Sequence, residues 1–145
     1  MGSSESDAAR IGRELEELAR ASAATHGLSI GVSGGEADLA LAPYRDFGVV
    51  VGDRQLTVHV GGEVGRPGVL LDRLDSERLL FEYAGAFLQL HREEARPREA
   101  ASEFVRRVGI DYVRERVAKD PQGRSALFRT FHGLTGCPCI SPAAS

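Results

Sequence analysis

The sequence predicts an α+β fold, a small antiparallel sheet packed with helices and followed by a helical C-terminal region. Three observations carry this. Short runs with alternating apolar residues crowd the stretch from Leu28 to Leu74, with glycine-rich breaks between them. Apolar residues then recur at helical spacing from Leu79 to Phe131. Strands early and helices late are the pattern of an α+β domain, whereas alternating strands and helices would signal a parallel α/β sheet.

In chain order, residues 1–7 are polar and are expected to be disordered. A helix follows from Asp7 to Ala24, with Ile11, Leu15, Leu18 and Ala19 on one face and charged residues on the other. Leu28, Ile30 and Val32 alternate with Ser29, Gly31 and Ser33. That describes a strand with one core face and one face where something packs very close. Phe47–Val51 and Gln55–Val60, joined by Gly52-Asp53-Arg54, form a hairpin, and Val69–Leu74 an edge strand. A helix capped by Asp75 or Ser76 runs to about Arg96, its apolar face so broad that it must be packed on two sides. Pro97 suits the first turn of the next helix, which stops at Gly109. A further helix starts at Asp111. Asp120-Pro121 opens the last one, which Gly133 closes, and a flexible tail follows over residues 133–145.

The chain has 145 residues, 42% of them hydrophobic and 27% charged, with net charge −3. This is an ordinary globular mixture for one domain, large enough to fold without disulfides or metal. No basic block is present, which argues against nucleic acid and against an anionic membrane as partners. No apolar run reaches membrane-spanning length, no signal peptide is evident, and the two cysteines form no disulfide framework; the expectation is a cytoplasmic protein.

Four features invite a chemical reading. Cys137-Pro138-Cys139, with His132 five residues before Cys137, offers at most three metal ligands where a structural zinc site takes four. The alternative is a tail with reactive thiols. His59 sits opposite Val58 and Val60, as a ligand or acid/base residue or as a plain strand residue. His91 lies on an apolar helix stripe and is expected at the core or its rim, while Gly31 to Gly35 resembles a phosphate loop but lacks its lysine and spacing. Its backbone N–H groups are able to form an anion nest. A Ser-His-Asp arrangement cannot be read from chain order, and Ser33 with His59 is the pair to check first.

Three stretches carry a family resemblance. They are Gly85–Ala95 (GAFLQLHREEA), with Glu82-Tyr83 before it; Arg107–Val117 (RVGIDYVRERV), with DPQGRSAL after it; and Val58–Gly65 (VHVGGEVG). Together they make residues 8–132 similar to the C-terminal half-domain of siroheme nitrite and sulfite reductases, closest to the large subunit of assimilatory nitrite reductases. In that family two cysteines after the first strand hold half of a [4Fe–4S] cluster, and one of them bridges to the siroheme iron. Counting back from Asp46-Phe47-Gly48 places those positions at Gly35 and Leu39, neither of which ligates iron. The family's other cysteine pair falls before the first helix and has no match here. Arg45 stands where relatives often carry lysine.

The resemblance therefore implies an inherited fold without its cofactors, a pseudoenzyme with a degenerate iron–sulfur site. The leading expectation is a cofactor-free binding or accessory protein in a redox or specialised-metabolism pathway. It would act as a homodimer or with a partner redox protein. The alternative is a repurposed oxidoreductase or other enzyme, using the vacated cleft for a small molecule or a haem. Gly31, Gly34, Gly35, Leu39, Arg45 and His59 would line it, with His59 as ligand or acid/base and Arg45 as anion contact.

Overall fold

A computed structural model describes residues 3–21, 29–34, 42–52 and 54–135. Helix α1 (Ser3–Ala21) leads to strand β1 (Ile30–Gly34) and a single 3₁₀ turn (Ala42–Tyr44). Strands β2 (Phe47–Val51), β3 (Leu56–Val60) and β4 (Val69–Leu74) follow. Helices α2 (Glu77–Glu94), α3 (Ala101–Val108) and α4 (Ile110–Val113) come next; α4 passes into a π-helical turn (Arg114–Ala118), and α5 is Pro121–Thr135.

The α+β class holds, with one change to the sheet. Its order is β1-β2-β3-β4, and β2, β3 and β4 are antiparallel neighbours as expected. β1, however, pairs parallel to β2, Gly31 opposite Gly48 and Val32 opposite Val49. The cause is the length of the connection. A hairpin turn reverses direction within a few residues, whereas residues 35–46 are enough chain to cross over and bring β2 back beside β1 in the same direction.

α1 and α2 pack on one face of the sheet. Val32 lies beneath Gly12 of α1, and the rings of Phe47 and Phe87 stand 6.1 Å apart. Ile11, Leu15, Leu18, Phe47, Val49, Val58, Val60, Leu80, Phe87 and Leu90 are buried in one cluster that reaches from Ala8 to Phe131. The second side of α2 meets α5. A Cβ on Gly85 would fall 2.5 Å from Phe128 Cδ1, so glycine is what lets the two helices approach. This is the two-sided packing that the broad stripe of α2 required. His91 is at the rim, its Nε2 2.9 Å from the Glu99 carbonyl oxygen and its ring edge-on to Phe104.

Element ends differ where local chemistry outweighs propensity. α1 begins at Ser3, so it takes in most of the segment expected to be disordered. Ser76 caps α2 through the Leu79 N–H. Pro97 does not open α3. The Arg96 and Glu99 backbones close a turn, the Glu99 carboxylate accepts the Arg96 N–H, Arg98 takes φ 64°, and α3 starts at Ala101. α5 passes through Gly133 to Thr135, because an isolated glycine only weakens a helix.

Candidate functional site

β1 is an edge strand, and the chemistry collects along its outer side. The segment Ala42–Asp46 is held against the sheet by backbone bonds at both ends. The Arg45 N–H donates to the Ala42 carbonyl (3.1 Å), and the Gly68 N–H donates to the Pro43 carbonyl (2.6 Å). Gly62 and Gly61 donate to the carbonyls of Arg45 and Asp46, each at 2.9 Å. The Asp46 carboxylate in turn accepts the Ser29 N–H (2.7 Å) and hydroxyl (3.1 Å), tying the start of β1 to the entry of β2.

This strap explains two glycines. A Cβ on Gly48 would sit 1.9 Å from the Ala42 carbonyl oxygen, and one on Gly62 would sit 2.1 Å from that of Pro43. Both positions exist to let one backbone lie on another. Gly31 does the same for a side chain, since its Cβ would strike Arg45 Cγ at 2.5 Å. The close packing expected on this face of β1 is therefore real, and what packs there is the stem of Arg45.

Beside the strap, α1 and β1 form the walls of an open cleft of about 390 Å³. Its described lining includes Ala8, Ala9, Gly12, Ala42, Gly31, Val32 and Ser33, with Arg13, Glu16 and Arg45 as the charged groups. Ser33 is 3% exposed, and its Oγ accepts the Ala42 N–H at 3.2 Å. Arg13 and Arg45 are exposed and, among the described residues, have no carboxylate partner.

The sequence-predicted residues are thus only partly brought together. Gly31 and Arg45 meet in the cleft, while Gly34 ends β1. Gly35 and Leu39 lie outside the described residues. His59 shares a row with Gly31 and Gly48, but the cleft does not reach it, because Ala42 lies over Gly48 between them. Its Nδ1 is buried without a partner among the described residues, and burial, with Arg73 nearby, lowers its pKa. Ser33 and His59 form no pair: Ser33 lies in the row of Val50 and Thr57. His132 stacks near Phe128, with ring centroids 5.9 Å apart, and Cys137 and Cys139 lie outside the described residues. Among the described residues no group of three or more His, Cys, Asp or Glu is placed to hold a metal ion, and no helix is long and apolar enough to cross a membrane. Arg13 was missed by sequence reading. It is one of several charges on the polar face of α1, and nothing local marks it.

The donor set does not fit an iron–sulfur cluster. Such clusters are held by thiolates, and the described lining offers two guanidiniums, a hydroxyl and one carboxylate. What this set does suit is an anion.

No protein-family model matches the chain. Nitrite reductase [NAD(P)H] of Bacillus subtilis (strain 168) is 34% identical over 124 residues, which cover 83% of this chain and 15% of that protein. The chain therefore spans a small fraction of the relative it matches. At that level of identity across most of its own length, its sequence relationship is to nitrite/sulfite reductase-like proteins.

Proposed function

We propose that the chain is a degenerate half-domain of the nitrite/sulfite reductase type, a cofactor-free binding or accessory protein serving a redox or specialised-metabolism pathway. The observation that carries this is the cleft at the end of β1. The resemblance assigns cluster ligands to the turn after that strand, and the positions are Gly35 and Leu39. The α1–β1 cleft is lined by small residues and by Arg13 and Arg45, which have no carboxylate partner among the described residues. An open cleft of about 390 Å³, lined by small residues and three charged groups, has room for a small molecule.

Action as a homodimer or with a partner redox protein is part of the same reading. The sheet face away from α1 and α2 carries Val50, Thr57, His59 and Leu70 half-buried, with Tyr44 exposed on the strap. A face of this composition gains by being covered. The alternative, an enzyme working in the vacated cleft with Arg45 as anion contact, keeps Arg45 but loses His59, which stands outside it.

Absorption spectroscopy and iron analysis of the purified protein test the reading. Colourless protein without stoichiometric iron is expected, and a haem or siroheme band, or an iron–sulfur shoulder with matching iron, overturns it. Light scattering of the same sample tests the assembly, where a monodisperse monomer removes the homodimer.

A further inference from the structure

We propose that the α1–β1 cleft binds a small dianionic molecule, a dicarboxylate or a phosphate ester, between Arg13 and Arg45. This rests on the reading of the cleft as a binding site without a thiolate-held cofactor, and it adds the ligand's chemistry.

Donors from four places line the cleft: Arg45, Arg13, Ser33 and the β1 backbone. Arg45 is the best placed. Its backbone is bonded on both sides, to Ala42 and to Gly62, and its stem lies flat on Gly31. Much of the entropy that an arginine loses on binding is therefore already lost, and its planar fork is left to make paired bonds to a carboxylate or phosphate. Arg13 faces the cleft from α1. Ser33 accepts a hydrogen bond from Ala42, which leaves its hydroxyl proton to donate.

The fourth donor is backbone. The Phe47 N–H donates to the Ser29 carbonyl, so residues 29, 31 and 33 turn their polar groups toward β2. In a parallel ladder the residues between them, Ile30 and Val32, turn theirs the other way, to the open edge that the cleft follows.

The charge balance selects the ligand. The whole chain carries −3, yet the described lining carries two guanidiniums against Glu16 alone, and Glu16 is engaged in an interaction of its own. A cleft that is positive on an acidic protein concentrates anions locally. Its volume of about 390 Å³ admits a small molecule.

The test is a titration of the full chain, at constant ionic strength, followed by amide chemical shifts. The probes are inorganic phosphate, pyrophosphate and succinate. Saturable shifts at Val32, Ser33 and Arg45 are expected, and whether pyrophosphate or succinate binds tighter assigns phosphate ester or dicarboxylate. Arg45→Gln and Arg13→Gln should each weaken binding about tenfold, the loss expected for one charge-assisted bond, while Arg129→Gln on α5 should not. Arg13 is exposed on a helix, so its variant remains informative should Arg45→Gln unfold. Absence of saturable binding, or equal weakening in all three variants, overturns the proposal. So does binding of an acidic extended peptide where the small anions do not bind. Iron or haem in the sample would instead overturn the cofactor-free reading, so the two failures are distinct.

Discussion

Arg114 and Arg124, near the β4 edge of the sheet, are used differently from Arg13 and Arg45 at the β1 edge. At β4, Arg114 donates to the Leu70 carbonyl (2.7 Å), and the Tyr83 hydroxyl donates to Asp72 (2.6 Å). Arg124 lies over the Tyr83 ring at 4.9 Å, donates to Glu82 at 2.7 Å and reaches the Val117 carbonyl at 2.8 Å. It thereby satisfies a carbonyl of the π-helical turn, where the helical ladder is displaced. At β1, Arg13 and Arg45 have no carboxylate partner among the described residues and open onto a cleft. Arg114 and Arg124 complete the fold, while Arg13 and Arg45 keep donors that no described carboxylate takes up.

That contrast breaks most visibly at Arg124. The residue is 8% exposed, and Arg124→Gln leaves Glu82 and two carbonyls short of a donor. Removing one partner of such a buried pair costs about 3–5 kcal/mol, read as a lower urea midpoint. Burial and the Asp72 bond raise the Tyr83 pKa and the Arg124 charge opposes them, so in Arg124→Gln that pKa should move further up.

Gly48→Ala should have the next largest effect. Its methyl group meets backbone at Ala42, which cannot move as a side-chain end does, so overpacking of about 1–3 kcal/mol is expected. The strap should shift with it. Amide shifts at Pro43's neighbours Ala42 and Tyr44, and at Arg45, would record the change, and an unmoved Arg45 would show that the strap does not fix the cleft.

The smallest effects are in pH dependence. Glu99, bonded by Arg107, has a pKa lowered to about 2, from an ordinary 4.5. The folded state therefore binds fewer protons than the unfolded one, and this contribution to stability is present above about pH 4.5 and lost as pH falls toward 2. Glu99→Gln should flatten urea midpoints in that window. His59 has a lowered pKa too, from burial first and Arg73 second, so its neutral form is the folded one. Its contribution is complete above 6.5 and declines as pH falls through its lowered folded value. His59→Asn should remove that slope, and a slope that survives the substitution places its origin elsewhere.

Much of the fold was legible. Phe47–Val51 and Val69–Leu74 occur with the bounds read from their apolar pattern, and the wide stripe of α2 announced a second helix against Gly85. Of the residues that line the cleft, Gly31 was legible from its place in a strand and Arg45 from the family resemblance. Arg13 was hidden among equivalent charges. His59 stands outside that cleft, and its sequence does not say so, because a histidine beside glycines looks alike whether it lines a cleft or is separated from it by a strap.

The sequence by itself determined the order of elements and which face of each is buried, because apolar periodicity is a local property read within a few turns or pleats. It also determined kinship, since 34% identity is spread over 124 residues. Only the tertiary structure decided that β1 runs parallel to β2, that Ala42 covers Gly48, and that Arg124 is paired with a carboxylate while Arg45, among the described residues, is not. Each of these depends on which distant backbone or carboxylate arrives within hydrogen-bonding reach. That is settled by the path of the connecting chain, and a residue's neighbours in sequence do not record it.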